Sequence, residues 1–223
     1  MATDNSVISD SIGVSVATGT YGISFGAIAV ASGLSIPQAC ALSLLVFTGA
    51  SQFAFVGVIG AGGAPLAGAL TAVLLGSRNM FYGLSLAPHL EVRGAAKAAA
   101  AHVIIDESTA MAVTRDSPQQ ARLGFYWTGW SIFVLWNLMT LAGAIAGEAI
   151  GDPRAYGLDA AVGAAFLGLL WPRLKSRSAL LIALVAAAAA MGLVPVTTAG
   201  IPTIVGGAIA VAFGMTLSRR AKP

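Results

Sequence analysis

Apolar residues arrive along this chain in long unbroken runs rather than in alternation. Such runs cover 12–32, 37–60, 66–87, 123–147, 160–171, 178–193 and 198–217. An uninterrupted run of about 20 apolar residues has the length of a helix that crosses a bilayer, whereas the strands of a membrane barrel alternate. Seven transmembrane helices are therefore expected. The stretch 98–114 breaks the pattern, because Lys97 and Arg115 flank it while Asp106 and Glu107 sit at its centre. Cations at both ends and acids in the middle suit a re-entrant segment buried among other helices, with a short full span as the alternative. Pro37 fits a first helical turn, and Gly22 and Gly26 fall on one face, as helix packing in a membrane favours.

Composition narrows the class. The chain of 223 residues is 57% hydrophobic and 9% charged, with a mean hydropathy of +0.84. A soluble domain carries roughly a quarter charged residues. The reading is an all-α polytopic membrane protein, one transmembrane domain over 1–223, with at least one discontinuous helix. Residues 1–11 hold Asp4 and Asp10 but no Lys or Arg, so no cleavable signal is expected and the first span should stay. Cys40 is the sole cysteine, which excludes an intrachain disulfide.

The net charge of +3 does not point to nucleic acid, since the cations cluster at the ends of spans. Arg93/Lys97, Arg115/Arg122, Arg173/Lys175/Arg177 and Arg219/Arg220/Lys222 are expected on the cytoplasmic side. The acidic loop from Glu148 to Asp159 and the cation-free N-terminus are expected outside. Seven spans and one re-entrant segment then place the N-terminus out and the C-terminus in.

Three polar clusters interrupt apolar surroundings, and candidate chemistry lies there. The first is Phe47-Thr48-Gly49-Ala50-Ser51-Gln52-Phe53, inside a run without any charge. Gly weakens a helix, and lipid satisfies neither Ser nor Gln, so the helix is expected to open here around a polar ligand. The second, Ser77-Arg78-Asn79, puts a guanidinium roughly 20 Å along its span, at a cost of about 3 kcal/mol if unpaired. The third is Asp106-Glu107-Ser108-Thr109. Arg78 is expected to pair with Asp106 or Glu107, either as a permanent structural bridge or as a pair that substrate or a proton disturbs. His102 lies at i−4 from Asp106, where it would serve as a relay on a continuous helix or as an interfacial residue near Lys97. Phe47, Phe53 and Phe55 would line an aliphatic pocket, or simply face core and lipid.

Together Gly49-Ala50-Ser51-Gln52-Phe53, Arg78-Asn79-Met80-Phe81-Tyr82-Gly83 and Asp106-Glu107 resemble the AzlC family of branched-chain amino acid exporters, over roughly residues 12–217. Asn79 departs from the His that many members have. The resemblance implies export of Leu, Ile or Val across the bacterial inner membrane, together with a small separately encoded partner of the AzlD type. The substrate-binding candidates are Gly49, Ser51, Gln52, Arg78, Asn79 and Tyr82, with Asp106 and Glu107 as ion pair or proton carriers. Two rival readings are an intramembrane serine hydrolase, with Ser51 as nucleophile and His102 or His89 as base, and a passive channel. The hydrolase motif has Gly after its serine, where this chain has Gln52. No metal cluster, phosphate-binding glycine loop or nucleotide fold is evident, so neither cofactor nor metal is expected.

Overall fold

The computed structural model describes residues 3–150, 167, 170, 171 and 174–220, and no strand occurs among them. Almost all of the expected span 160–171 lies outside the described residues, as do Asp152, Arg154 and Asp159 of the acidic loop and the cations Arg173 and Lys222.

Two long rods form the frame. α1 (Asp4–Gly19) and α2 (Gly22–Ala31) make a nearly continuous apolar stretch of 28 residues. α9 (Pro118–Ile150) runs for 33 residues, about 50 Å at the helical rise. Thr3 caps α1 by accepting from Ser6 N–H, and Ser117 does the same for Gln120 ahead of α9. Glycine decides how closely the rods approach. A Cβ at Gly22 would collide with the Trp136 carbonyl, one at Gly26 with that of Thr140, and one at Gly143 with that of Ile23.

These contacts also fix direction. Val7 lies against Gly124, Gly19 against Leu135 and Ala27 against Gly147, so α1/α2 and α9 run parallel. The N-terminus therefore shares one end of the bundle with Arg115 and Arg122. Asp10 confirms it by pairing with Arg115 at 3.1 Å. This end is called the basic end below. The expected separation of the N-terminus from the Arg115/Arg122 cluster is thereby corrected.

The cause lies in the next segment. α3 (Ile36–Leu45) starts from a capping box in which Ser35 and Gln38 cap each other's backbone, with Pro37 in the first turn. It ends after ten residues, and α4 (Ala50–Gly60) turns back. Gly60 returns to the side chain of Ser32, and the Gln52 side-chain amide donates to the Leu42 carbonyl at 3.3 Å. Residues 37–60 thus form a helical hairpin rather than one span. Each arm is about 15 Å long, half the roughly 30 Å of a bilayer core. One reversal where a crossing was expected moves the N-terminus to the other side.

α5 (Pro65–Gly76) descends against α4, with Gly68 at Phe55 and Gly76 at Ser51. The chain bends at Ser77, and α6 (Arg78–Leu90) continues to the basic end, where Arg122 binds Glu91 at 2.7 Å and the His89 carbonyl at 2.7 Å. α7 (Gly94–His102) rises from that end and α8 (Asp106–Val113) returns to it, bringing Arg115 to Asp10. The chain reverses over 103–105, as the charge pattern of 98–114 led us to expect.

Last come α10 (Arg177–Leu193) and α11 (Ile201–Arg220), packed on each other. Gly200 touches Val58 and Ala67, and Gly207 touches Leu74. α11 therefore runs alongside α5 with its C-terminus toward the basic end.

Large apolar side chains cover the outside: Leu45 is 76% exposed, Leu66 72%, Met80 72%, Phe81 68% and Leu84 72%. An apolar exterior of this kind is what lipid or a partner protein covers. α1/α2 and α9 are long and apolar enough to cross a membrane.

Candidate functional site

Three interrupted segments meet halfway between the two ends, and each interruption starts a new helix there. The α3/α4 hairpin enters from the end opposite the basic one and turns at 46–49. The α7/α8 hairpin enters from the basic end and turns at 103–105. The α5/α6 rod breaks at Ser77 between them. The N-termini of α4, α6 and α8 therefore gather in one region, each with first-turn N–H groups that its own helix leaves unpaired.

Each hairpin tip is braced in the same way. In the first, Gly49 takes φ +61° and ψ −89°, a conformation open to glycine. Its N–H donates to Gln52 Oε1 at 3.0 Å. With Gln52 Nε2 on the Leu42 carbonyl, both ends of this fully buried amide are used within the hairpin. In the second tip, Ile105 N–H donates to Ser108 Oγ at 3.1 Å, and that hydroxyl donates to the Val103 carbonyl at 2.7 Å. Both braces come from the third residue of the following helix.

Arg78, the first residue of α6, ties the tips together. Its Nη2 meets Asp106 Oδ2 at 2.9 Å and its Nε meets Oδ1 at 3.4 Å. Nη1 donates to the Leu75 carbonyl at 2.7 Å, and Nη2 reaches the Thr48 carbonyl at 3.5 Å. Tyr82, one turn further along α6, donates its hydroxyl to Asp106 Oδ1. Of the two acids proposed to face Arg78, the pair falls to Asp106, with Glu107 half-buried beside it. The pair is 21% and 31% exposed, so it stands at the rim of the convergence rather than sealed inside.

The other expected site residues fall close by. Ser51 is 1% exposed and its Oγ has no hydrogen-bond partner; it points at Gly76, whose Cβ position lies 3.1 Å away. Asn79 Oδ1 and Thr48 Oγ1 are also buried without partners. His102 ends α7, and α8 begins only at Asp106, so no helical turn joins them and the expected relay geometry is absent. Nor is His102 interfacial: it sits at the inner tip, 6.3 Å from the ring of Phe47 and 5.3 Å from that of Phe133. His89 lies near the basic end with Nδ1 at the Ser85 carbonyl. Neither histidine is placed to take a proton from Ser51.

Sequence reasoning passed over Trp136. It is 4% exposed, stacks on Phe25, meets Phe53 edge-on at 6.2 Å, and comes within 4.0 Å of the Gly49 Cβ position. A Trp deep in an apolar run, away from the interface where Trp concentrates, is the signal that was available.

The model of the family described as AzlC protein matches residues 13–150. The chain belongs to the AzlC family. The match takes in both hairpins, Arg78 and all of α9, and stops short of α10 and α11. No curated protein and no solved structure matches the chain. AzlC proteins are associated with branched-chain amino acid transport and are a transporter family, not an enzyme family. With its apolar exterior, this AzlC protein is a membrane protein.

Proposed function

We propose that this AzlC protein is a secondary-transporter subunit that exports Leu, Ile and Val from the bacterial cytoplasm across the inner membrane. One observation carries the reading: three broken segments converge on Arg78 and Asp106 beside buried hydrogen-bonding groups that have no protein partner. Discontinuous helices that offer free termini at mid-depth are a recurring way to hold a small charged solute inside a membrane. The carboxylate of a zwitterion takes N–H and O–H donors around Gly49 and Ser51, and its ammonium takes acceptors on the Asp106–Glu107 segment and at Asn79 Oδ1. The hairpins enter from opposite ends, so rocking one or the other alternates access.

The basic end faces the cytoplasm. Arg93, Lys97, Arg115 and Arg122 lie in turns or helix termini at that end; Gly206 against Ala190 and Gly214 against Ile182 set α10 antiparallel to α11, which brings Lys175 and Arg177 there too, and cytoplasmic loops favour cations. Both termini are then cytoplasmic. Asp106 or Glu107 carries the coupling proton. The AzlD-type subunit covers the outer face of α6, where Met80, Phe81 and Leu84 stand exposed beside Arg78.

Efflux of valine from loaded vesicles tests this. Saturable efflux that external leucine stimulates, that responds to a proton gradient and that strengthens with the small partner is expected. Non-saturable flux that external substrate does not stimulate would favour a channel, and no valine flux under any condition would sink the proposal. A serine-directed fluorophosphonate should leave Ser51 unlabelled.

A further inference from the structure

Two cavities lie end to end along α9, away from the convergence. At the basic end a cleft of about 810 Å³ is lined by Asp4, Ser117, Gln119 and Arg122, with Tyr126 and Trp127 among its walls. A trough of about 560 Å³ starts from the same Tyr126 and Trp127 and runs past Trp130 and Val134 to Leu138. From Tyr126 to Leu138 the helix rises about 18 Å, a little more than one leaflet of a hydrocarbon core roughly 30 Å thick. A charged mouth that opens into an apolar trough of that length fits an amphiphile of a single leaflet. A partner helix that crosses the bilayer would need such a trough along the whole core.

The mouth says what kind of headgroup fits. Arg122 is held in place, with Nε on the His89 carbonyl and Nη2 on Glu91, both at 2.7 Å. Among the described residues nothing bonds to its Nη1, so those N–H groups remain for a ligand. Ser117 Oγ accepts from the Gln120 N–H and still has its own proton to give. Asp4 is exposed and has no ion pair or side-chain hydrogen bond among the described residues. One cation and one acid thus line the same cleft. A purely anionic headgroup would meet Asp4 as a like charge. A zwitterionic one satisfies both: its phosphate takes N–H and O–H donors from Arg122, Gln119 and Ser117, and a primary ammonium donates to the Asp4 carboxylate. A trimethylated ammonium has no N–H to donate.

We propose that cleft and trough form a site for one phosphatidylethanolamine, with its headgroup between Arg122 and Asp4 and an acyl chain along Trp130, Val134 and Leu138. The phosphate shares its guanidinium with Glu91 and the His89 carbonyl, so the bound lipid braces the joint between α9 and the end of α6. The site depends on the protein lying in a membrane and not on what it transports.

The test titrates the delipidated full chain in detergent with phosphatidylethanolamine, phosphatidylcholine and phosphatidylglycerol of identical acyl chains. Native mass spectrometry counts retained lipid, and thermal unfolding gives the relative affinities. One retained phosphatidylethanolamine is expected, bound about fivefold more tightly than either of the others. Asp4→Asn should erase the advantage over phosphatidylcholine and leave phosphatidylcholine itself unchanged. Val134→Trp fills the trough and should weaken all three lipids alike, by about tenfold. Asp4 and Val134 are both exposed, and each variant remains readable if the other fails to fold. Equal affinities for the three lipids, untouched by either variant, are those of a general lipid annulus and overturn the site. A preference for phosphatidylglycerol that Asp4→Asn strengthens overturns the choice of a zwitterionic headgroup.

Discussion

The two hairpins use one backbone device for opposite chemistry. Each reverses at mid-depth, restarts as a helix, and has its first free N–H caught by the side chain three residues on, Gln52 in one and Ser108 in the other. The α3/α4 tip contains no charge and offers unpartnered donors. The α7/α8 tip carries Asp106, which Arg78 and Tyr82 hold in place. A neutral tip from one end and an acidic tip from the other give the convergence a polarity that neither hairpin has alone. Backbone geometry sets where polar groups meet, and a few side chains set which sign each half presents.

The largest expected effect comes from removing the link between the halves. Arg78→Met leaves Asp106 with its charge and without its cation, and should destabilise the protein by about 3 kcal/mol, the low end for a broken pair because this one is partly exposed. Thermal unfolding in detergent measures it, and efflux should be lost. Adding Asp106→Asn should restore stability and leave efflux lost. A double variant that exports valine normally would make the pair purely structural.

Next comes Gly49→Ala. At φ +61° and ψ −89° a side chain is strained, and about 2 kcal/mol of stability should disappear. The corresponding residue of the other tip, Ile105, has φ −131°, which any residue accepts. Ile105→Val should therefore lower stability by only about 1 kcal/mol, through lost packing. Equal effects at the two positions would mean the tips are not built as described.

The braces should matter less than the glycine but in a set order. Gln52→Leu strands the Gly49 N–H and unties the hairpin arms at the Leu42 carbonyl, which keeps the Val46 N–H, at about 1.5 kcal/mol; Ser108→Ala strands the Ile105 N–H and the Val103 carbonyl, at about 1 kcal/mol. Hydrogen exchange at residues 46–53 and 103–109 reads each loss locally. Exchange that spreads over both tips from either variant would show that the hairpins move as one body.

The same contrast explains what the sequence disclosed. The α7/α8 reversal was legible because Lys97 and Arg115 flank it and Asp106 and Glu107 mark its centre. The α3/α4 reversal was not, because 37–60 carries no charge and is long enough to cross. Gly49, Ser51 and Gln52 announced a break but not the direction of the chain beyond it. Only Gly60 meeting Ser32 and Leu42 meeting Gln52 decide that, and both depend on folding. The ion pair was legible because charge was involved: Arg78 had to find an acid, and Asp106 or Glu107 were the acids at comparable depth. Neutral neighbours were not legible in that way. Trp136 lies 58 positions after Arg78 in an unbroken helix, and reaches the tip only through the tertiary approach of α9.

Where α2 meets α9, glycine sets carbonyl against neighbouring backbone at Gly22, Gly26 and Gly143, with no side chain between to slide or re-pack. Such a seam behaves as a fixed keel. Any swing that carries solute from one face of the membrane to the other is left to the short half-length arms, whose travel is bounded by the keel they are hung beside.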